Sequence, residues 1–216
     1  MKKVTLLLSS FVFFFATAIC SQAVPLGFEN ISANDVANAA IGESQFFVDV
    51  TDPGGGQVLF TFGNTGPAAS SITDVYFDDG SLLGIASFIN GAGVDFSQGA
   101  NPANLPAANN ASPPFVTTAG FSADSNPPVA ANGVNPGESL GVLFNLQVGQ
   151  TFADVISQLG DLSLRIGIHV QAFPDGESEA FVNGPPGTPV PEPGTMLLLG
   201  SVMVGMVPFI RRKFKK

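Results

Sequence analysis

His169 is the only histidine in the 216-residue chain, so any reaction that uses an imidazole base must run through it. A catalytic imidazole also needs an acid to orient it, and no local spacing supplies one here. In an alternating strand its neighbours on the same face are Arg165 and Gln171, neither of them a nucleophile. His169 therefore reads as a solvated strand position, and no catalytic residue is expected. Cys20, the only cysteine, lies in an N-terminal apolar run. The body beyond it has no thiol for a disulfide, a cysteine nucleophile or a cysteine-based metal site.

Carboxylates are the next candidates. Glycoside hydrolysis needs two of them across the scissile bond, and acids are scattered along the whole body. With no Trp and a single Tyr, Tyr76, the usual platforms for stacking sugars are scarce, which disfavours glycosidase and carbohydrate-binding readings alike. Two acidic clusters are candidate calcium sites: Asp74, Asp78 and Asp79 before Gly80, and Asp175, Glu177 and Glu179 around Gly176 and Ser178. Calcium takes six to eight oxygens, and neither cluster follows the EF-hand order. No other cofactor is expected.

The charge is partitioned along the chain. Every acid except Glu192 lies between Val24 and Val190, where Arg165 is the one basic residue, a net charge of −15 against −9 for the whole. Binding to phosphate backbones is driven by Lys and Arg releasing counterions, so nucleic acid is excluded as a partner. The other basic residues sit at the two ends.

Lys2-Lys3, the apolar run Val4 to Cys20 and the small-x-small triplet Ser21-Gln22-Ala23 have the three-part form of a secretory signal peptide, with signal peptidase expected to cut after Ala23. A lipid anchor at Cys20 is disfavoured by the bulky Ile19 before it. At the other end, Pro191-Glu192-Pro193 forces an extended segment. The 17 residues from Gly194 to Ile210 are uncharged and just long enough to span a membrane. Arg211, Arg212, Lys213, Lys215 and Lys216 then hold their side in the cytoplasm and leave the acidic body outside.

This order of proline-bracketed glutamate, apolar span and basic cluster resembles a PEP-CTERM sorting signal, over Val190 to Lys216. The resemblance implies processing by an exosortase, an integral-membrane enzyme that recognises the tail and cleaves near the motif. Such proteins typically belong to Gram-negative bacteria that make exopolysaccharide, biofilm or flocs.

The elements that would position any site are strands. Phe46, Val48 and Val50 alternate with Phe47, Asp49 and Thr51, a Pro-Gly turn follows, and Val58, Phe60 and Phe62 alternate again: a hairpin. Ile72–Phe77, Leu82–Ile89, Phe115–Phe121 and Leu140–Leu146 have the same period. In Leu162–Phe173, Leu164, Ile166, Ile168 and Val170 face a core, while Ser163, Arg165, His169 and Gln171 face water. One short helix is expected, capped by Thr151 with Asp154 three residues on and ended by Gly160. The stretches from Ser97 to Pro114 and from Ser125 to Pro136 read as long surface loops. The expected class is all-β, an antiparallel β-sandwich of jelly-roll or Ig-like type, plus a C-terminal transmembrane helix.

The expected domains are a signal peptide at 1–23, a sandwich at 24–182, a Pro/Gly stalk at 183–189 and the sorting signal at 190–216. The expected function is a non-enzymatic protein, exported through the inner membrane, held there transiently as a single-pass protein, then delivered to the cell surface or extracellular matrix. Its expected partners are signal peptidase and exosortase. The rivals are a module that holds exopolysaccharide and, last, a hydrolase using scattered carboxylates.

Overall fold

A computed structural model describes residues 23–185. The ten strands are β1 (Val24–Asn30), β2 (Phe46–Thr51), β3 (Gln57–Asn64), β4 (Ser71–Asp79), β5 (Leu82–Asn90), β6 (Phe96–Gln98), β7 (Ser122–Ser125), β8 (Ser139–Leu146), β9 (Leu164–Gln171) and β10 (Glu179–Asn183). All named pairings are antiparallel, and the order is β5-β8-β3-β2-β1-β10-β9-β4-β7-β6. The all-β antiparallel expectation holds.

Strand β1 is the corner of the fold. Its first half, Val24 to Gly27, pairs with β2, and its second half, Phe28 to Asn30, pairs with β10. A glycine at the changeover suits a bend where one strand serves two sheets. The sheet thus folds on itself into a nearly closed sandwich. Phe77 of β4 meets Phe60 and Phe62 of β3 and Phe144 of β8 across the interior, with ring centroids 5.1, 6.1 and 4.7 Å away in edge-on geometry. Such aromatic contacts add to the area they bury. The β2–β3 hairpin forms in the expected register, with Val48 opposite Phe62 and Val50 opposite Phe60.

Several local expectations are corrected. Three α-helices are present among the described residues, not one: α1 (Val36–Gln45), α2 (Val129–Asn132) and α3 (Phe152–Asp161). Helix α3 is the expected one, with Thr151 and Asp154 forming a capping box. Gly160 does not end it; the helix continues to Asp161, and Leu162 turns the chain at φ +64°. Helix α1 escapes an apolar-period reading because the residues it buries are Asn38, Gly42 and Gln45. Gly42 has to be glycine: a Cβ there would stand 2.1 Å from the Phe181 ring.

The stretch Phe115–Phe121 is not a strand. It belongs to a long excursion between β6 and β7 that carries a 3-10 turn at Ala108–Asn110. The excursion lies over the outside of the β10-β9-β4 sheet, where Leu105, Ala111 and Phe115 join Ile31, Tyr76, Ala180 and Val182 in a second apolar cluster. The outer face of β9 is therefore not wet as expected. Gly167 on that face admits the excursion, since a Cβ would meet Leu105 Cδ2 at 2.6 Å, and Arg165 is buried to 2% exposure.

Candidate functional site

The outer face of β9, β4 and β7 carries its polar groups in ladder rungs. In the first rung Asp74 stands opposite His169 on one side and Asp124 on the other. In the next, Tyr76 lies between Gly167 and Ser122, and beyond it Asp78 faces Arg165. A bulge between Ile72 and Asp74 sets this register. Bulges re-aim side chains next to functional positions.

The first rung is an acid–imidazole dyad with a second acid beside it. His169 Nδ1 lies 3.0 Å from Asp74 Oδ2, which also accepts the Thr73 hydroxyl at 2.9 Å. A carboxylate oxygen only accepts, so Nδ1 is the donor in this contact. Asp74 is 1% exposed, and its Oδ1 is buried without a hydrogen-bond partner. Asp124 is pushed up to about 6 by burial, by the Asp74 charge and by a hydrogen bond to Asp74. Asp124 thus takes up a proton more readily than an ordinary carboxyl, and it does so beside Asp74. Tyr76 is also pushed up, first by burial and then by both acids, and its hydroxyl donates to Pro102 O at 3.0 Å.

The solvated reading of His169 is thereby corrected: a buried acid orients it. The imidazole lines a shallow hollow with Gln171, Glu177 and Ser178. Among the described residues Ser178 makes no side-chain hydrogen bond to the ring. The spacing Gly137-Glu138-Ser139-Leu140-Gly141 has the outline of a nucleophile turn, but Ser139 opens strand β8 and no strand-to-helix turn forms. The rung holds an oriented base with no engaged nucleophile.

The structure does not gather either calcium candidate cluster around one point. Asp74 and Asp78 are four residues apart on one strand, about 13 Å at ~3.3 Å per residue, and Asp79 falls on the opposite face. Asp78 accepts from Val116 N, and burial pushes it up. In the other cluster Glu179 is a staple for the β1–α1 connection. Its carboxylate accepts from Asn30 Nδ2, Ser32 Oγ and the backbone N–H groups of Asn34 and Asp35, which leaves little for a cation. Asp175 accepts from Asn38 Nδ2 at 2.7 Å and from Glu177 N, which hold it below the usual carboxylate range. Among the described residues no group of three or more His, Cys, Asp or Glu is placed to hold a metal ion.

Sequence reasoning missed Asp124, Thr73 and the burial of Arg165. A strand at Ser122–Ser125 has no large apolar residue to announce it, and the dyad partners lie 95 positions apart.

Ala23, at the expected signal cut, is exposed just before β1. Ser21, the motif Pro191, Glu192 and Pro193, the spanning segment and the basic tail Arg211, Arg212, Lys213, Lys215 and Lys216 lie outside the described residues. No helix among the described residues is long and apolar enough to cross a membrane.

Fold and rungs define the body as an antiparallel β-module with a partly covered polar face. The tail adds a specific assignment: residues 189–213 match the family model of the PEP-CTERM protein-sorting motif. This motif indicates exosortase-dependent sorting to the cell surface. No curated protein and no solved structure matches the chain.

Proposed function

We propose that this chain is an exported, non-enzymatic module of the cell surface or extracellular matrix, delivered as an exosortase substrate and freed of both its ends on the way. The observation that carries this is the PEP-CTERM match at 189–213, which contains Pro191, Glu192, Pro193 and the first three basic residues of the tail. A signal peptide at 1–23 starts export. The apolar span from Gly194 to Ile210 then holds the chain in the inner membrane until the enzyme acts, with the basic end in the cytoplasm.

A sandwich with an interior of interlocked phenylalanines suits display outside the cell, because its stability rests on apolar burial and needs no thiol. Its high negative charge favours solubility and keeps copies apart. In this reading the Asp74–His169 pair serves the architecture, by satisfying polar groups under a covered face. Export of the intact chain and of a form lacking Pro191-Glu192-Pro193 tests the proposal. Tail removal is expected in the first and its loss in the second; identical processing of both would refute the sorting.

A further inference from the structure

The two layers of the sandwich are covered unequally. Strands β4, β9 and β10 are buried on both faces over most of their length, because the β6–β7 excursion lies over their outside. In β2, β3 and β8 burial alternates. Val48, Phe60 and Val142 point into the core, while Phe47, Leu59 and Leu143 stand half-buried on the outside. The helices pack elsewhere, α1 on β1 and β10, α2 on β4 and β7, and α3 on β9.

The uncovered face is low and almost free of charge. From β5 to β2 one rung reads Ile89, Gly141, Thr61, Asp49 and the next reads Ser87, Leu143, Leu59, Thr51. Larger side chains lie down across the glycines. A Cβ at Gly63 would stand 2.3 Å from the Phe47 ring, and one at Gly141 would stand 3.0 Å from Ile89 Cβ and 3.3 Å from Leu59 Cδ1. Ile89 is 53% exposed. Asp49 is the one charged residue in these rungs, and burial pushes its carboxyl up. No charged residue occurs from Gly80 to Val94, a stretch that includes all of β5.

The negative charge that keeps copies apart elsewhere is therefore missing here, and like-charged bodies can meet at this face without acid opposing acid. Four strands about 4.8 Å apart and about 26 Å long give a face of roughly 500 Å². Two such faces together hide roughly 1,000 Å², the lower bound for a specific interface, and aligned sheets stack in this manner. A polysaccharide fits less well, since Phe47 is the only aromatic ring that the rungs of this face present.

We infer that two copies of the module pair reversibly through the outer face of the β5-β8-β3-β2 sheet, with Leu59, Leu143 and Ile89 at the contact. Pairing stands apart from the sorting of the tail, and either can fail without the other.

The test is sedimentation equilibrium of the full chain in density-matched detergent, across protein concentration and salt. A monomer–dimer equilibrium with Kd on the order of 10–100 µM is expected. It should tighten as salt rises from about 20 to about 500 mM, because screening weakens the repulsion between acidic bodies. A pair made by the basic tail on an acidic body would weaken instead. Leu59→Glu and, separately, the exposed Ile89→Glu are each expected to weaken pairing about tenfold or more. Val116→Glu, on the exposed outside of the other layer, is expected to leave it unchanged. Ile89→Glu decides the matter where Leu59→Glu fails to fold. A chain that stays monomeric up to about 1 mM, pairing that weakens with salt, or pairing that Ile89→Glu leaves intact overturns the inference. So does a monomer held on a neutral glucan gel and released by Ile89→Glu, which would assign the face to a glycan.

Discussion

Two rungs of the same sheet face handle buried charge in opposite ways. At one, Asp74 Oδ2 meets the His169 ring and accepts the Thr73 hydroxyl, with Asp124 on the neighbouring strand, so the acid has polar partners close at hand. At the other, four residues along β4, Arg165 lies under the β6–β7 excursion with one hydrogen bond and one aromatic ring. Burying a charge is tolerated when it is paired, and removing one member of a buried pair costs more than the pair contributes. The first rung is therefore held by paired groups, and the second leaves a buried cation with no acid at ion-pair distance among the described residues. The excursion that covers the second rung is held by Gly167, Leu105 and Phe115, so the same loop makes both the cover and the cavity.

The largest effect is expected at Asp74. Asp74→Ala strands the imidazole and the Thr73 hydroxyl, and urea unfolding at constant slope should show a loss of about 2–4 kcal/mol. Gly167→Val tests the cover. Its side chain must displace Leu105, and overpacking of this kind costs about 1–3 kcal/mol, with the Phe115 region losing hydrogen-exchange protection first.

Asp124 gives a pH signature. Its folded value, about 6, lies above the ordinary 3.8, so its contribution is full below the ordinary value and is lost as pH rises through about 6. Asp124→Asn, which keeps a donor toward Asp74, should remove that decline between pH 4 and 6. The gain at neutral pH is on the order of 1 kcal/mol, because solvent screens a half-exposed side chain. The smallest change is expected for Arg165→Met. A hydrophobic stand-in for an uncompensated buried cation should leave stability within about 1 kcal/mol of the parent or raise it. A loss as large as that of Asp74→Ala would erase the contrast between the rungs.

Features that repeat along the chain were legible in its sequence. The β2–β3 hairpin follows from period-two alternation in Phe46–Thr51 and Gln57–Asn64, and α3 from its capping box and apolar spacing. The tail was legible for the same reason, since motif, span and basic end are a linear pattern. What escaped is made by long-range cover. Helix α1 buries polar and small residues, β7 has no large apolar side chain, and the outer face of β9 is buried by a proline-rich excursion that reads as loop. Hence His169 and Arg165 look solvated in sequence. Period two states which face a residue takes, and only the fold states what lies on that face.

The intact mass of the protein recovered from outside the producing cell tests the central claim most directly. The account predicts a chain that has lost residues 1–23 and everything beyond the neighbourhood of Pro191-Glu192-Pro193, including Arg211 to Lys216. A recovered mass that still contains the apolar span and the basic tail would contradict it.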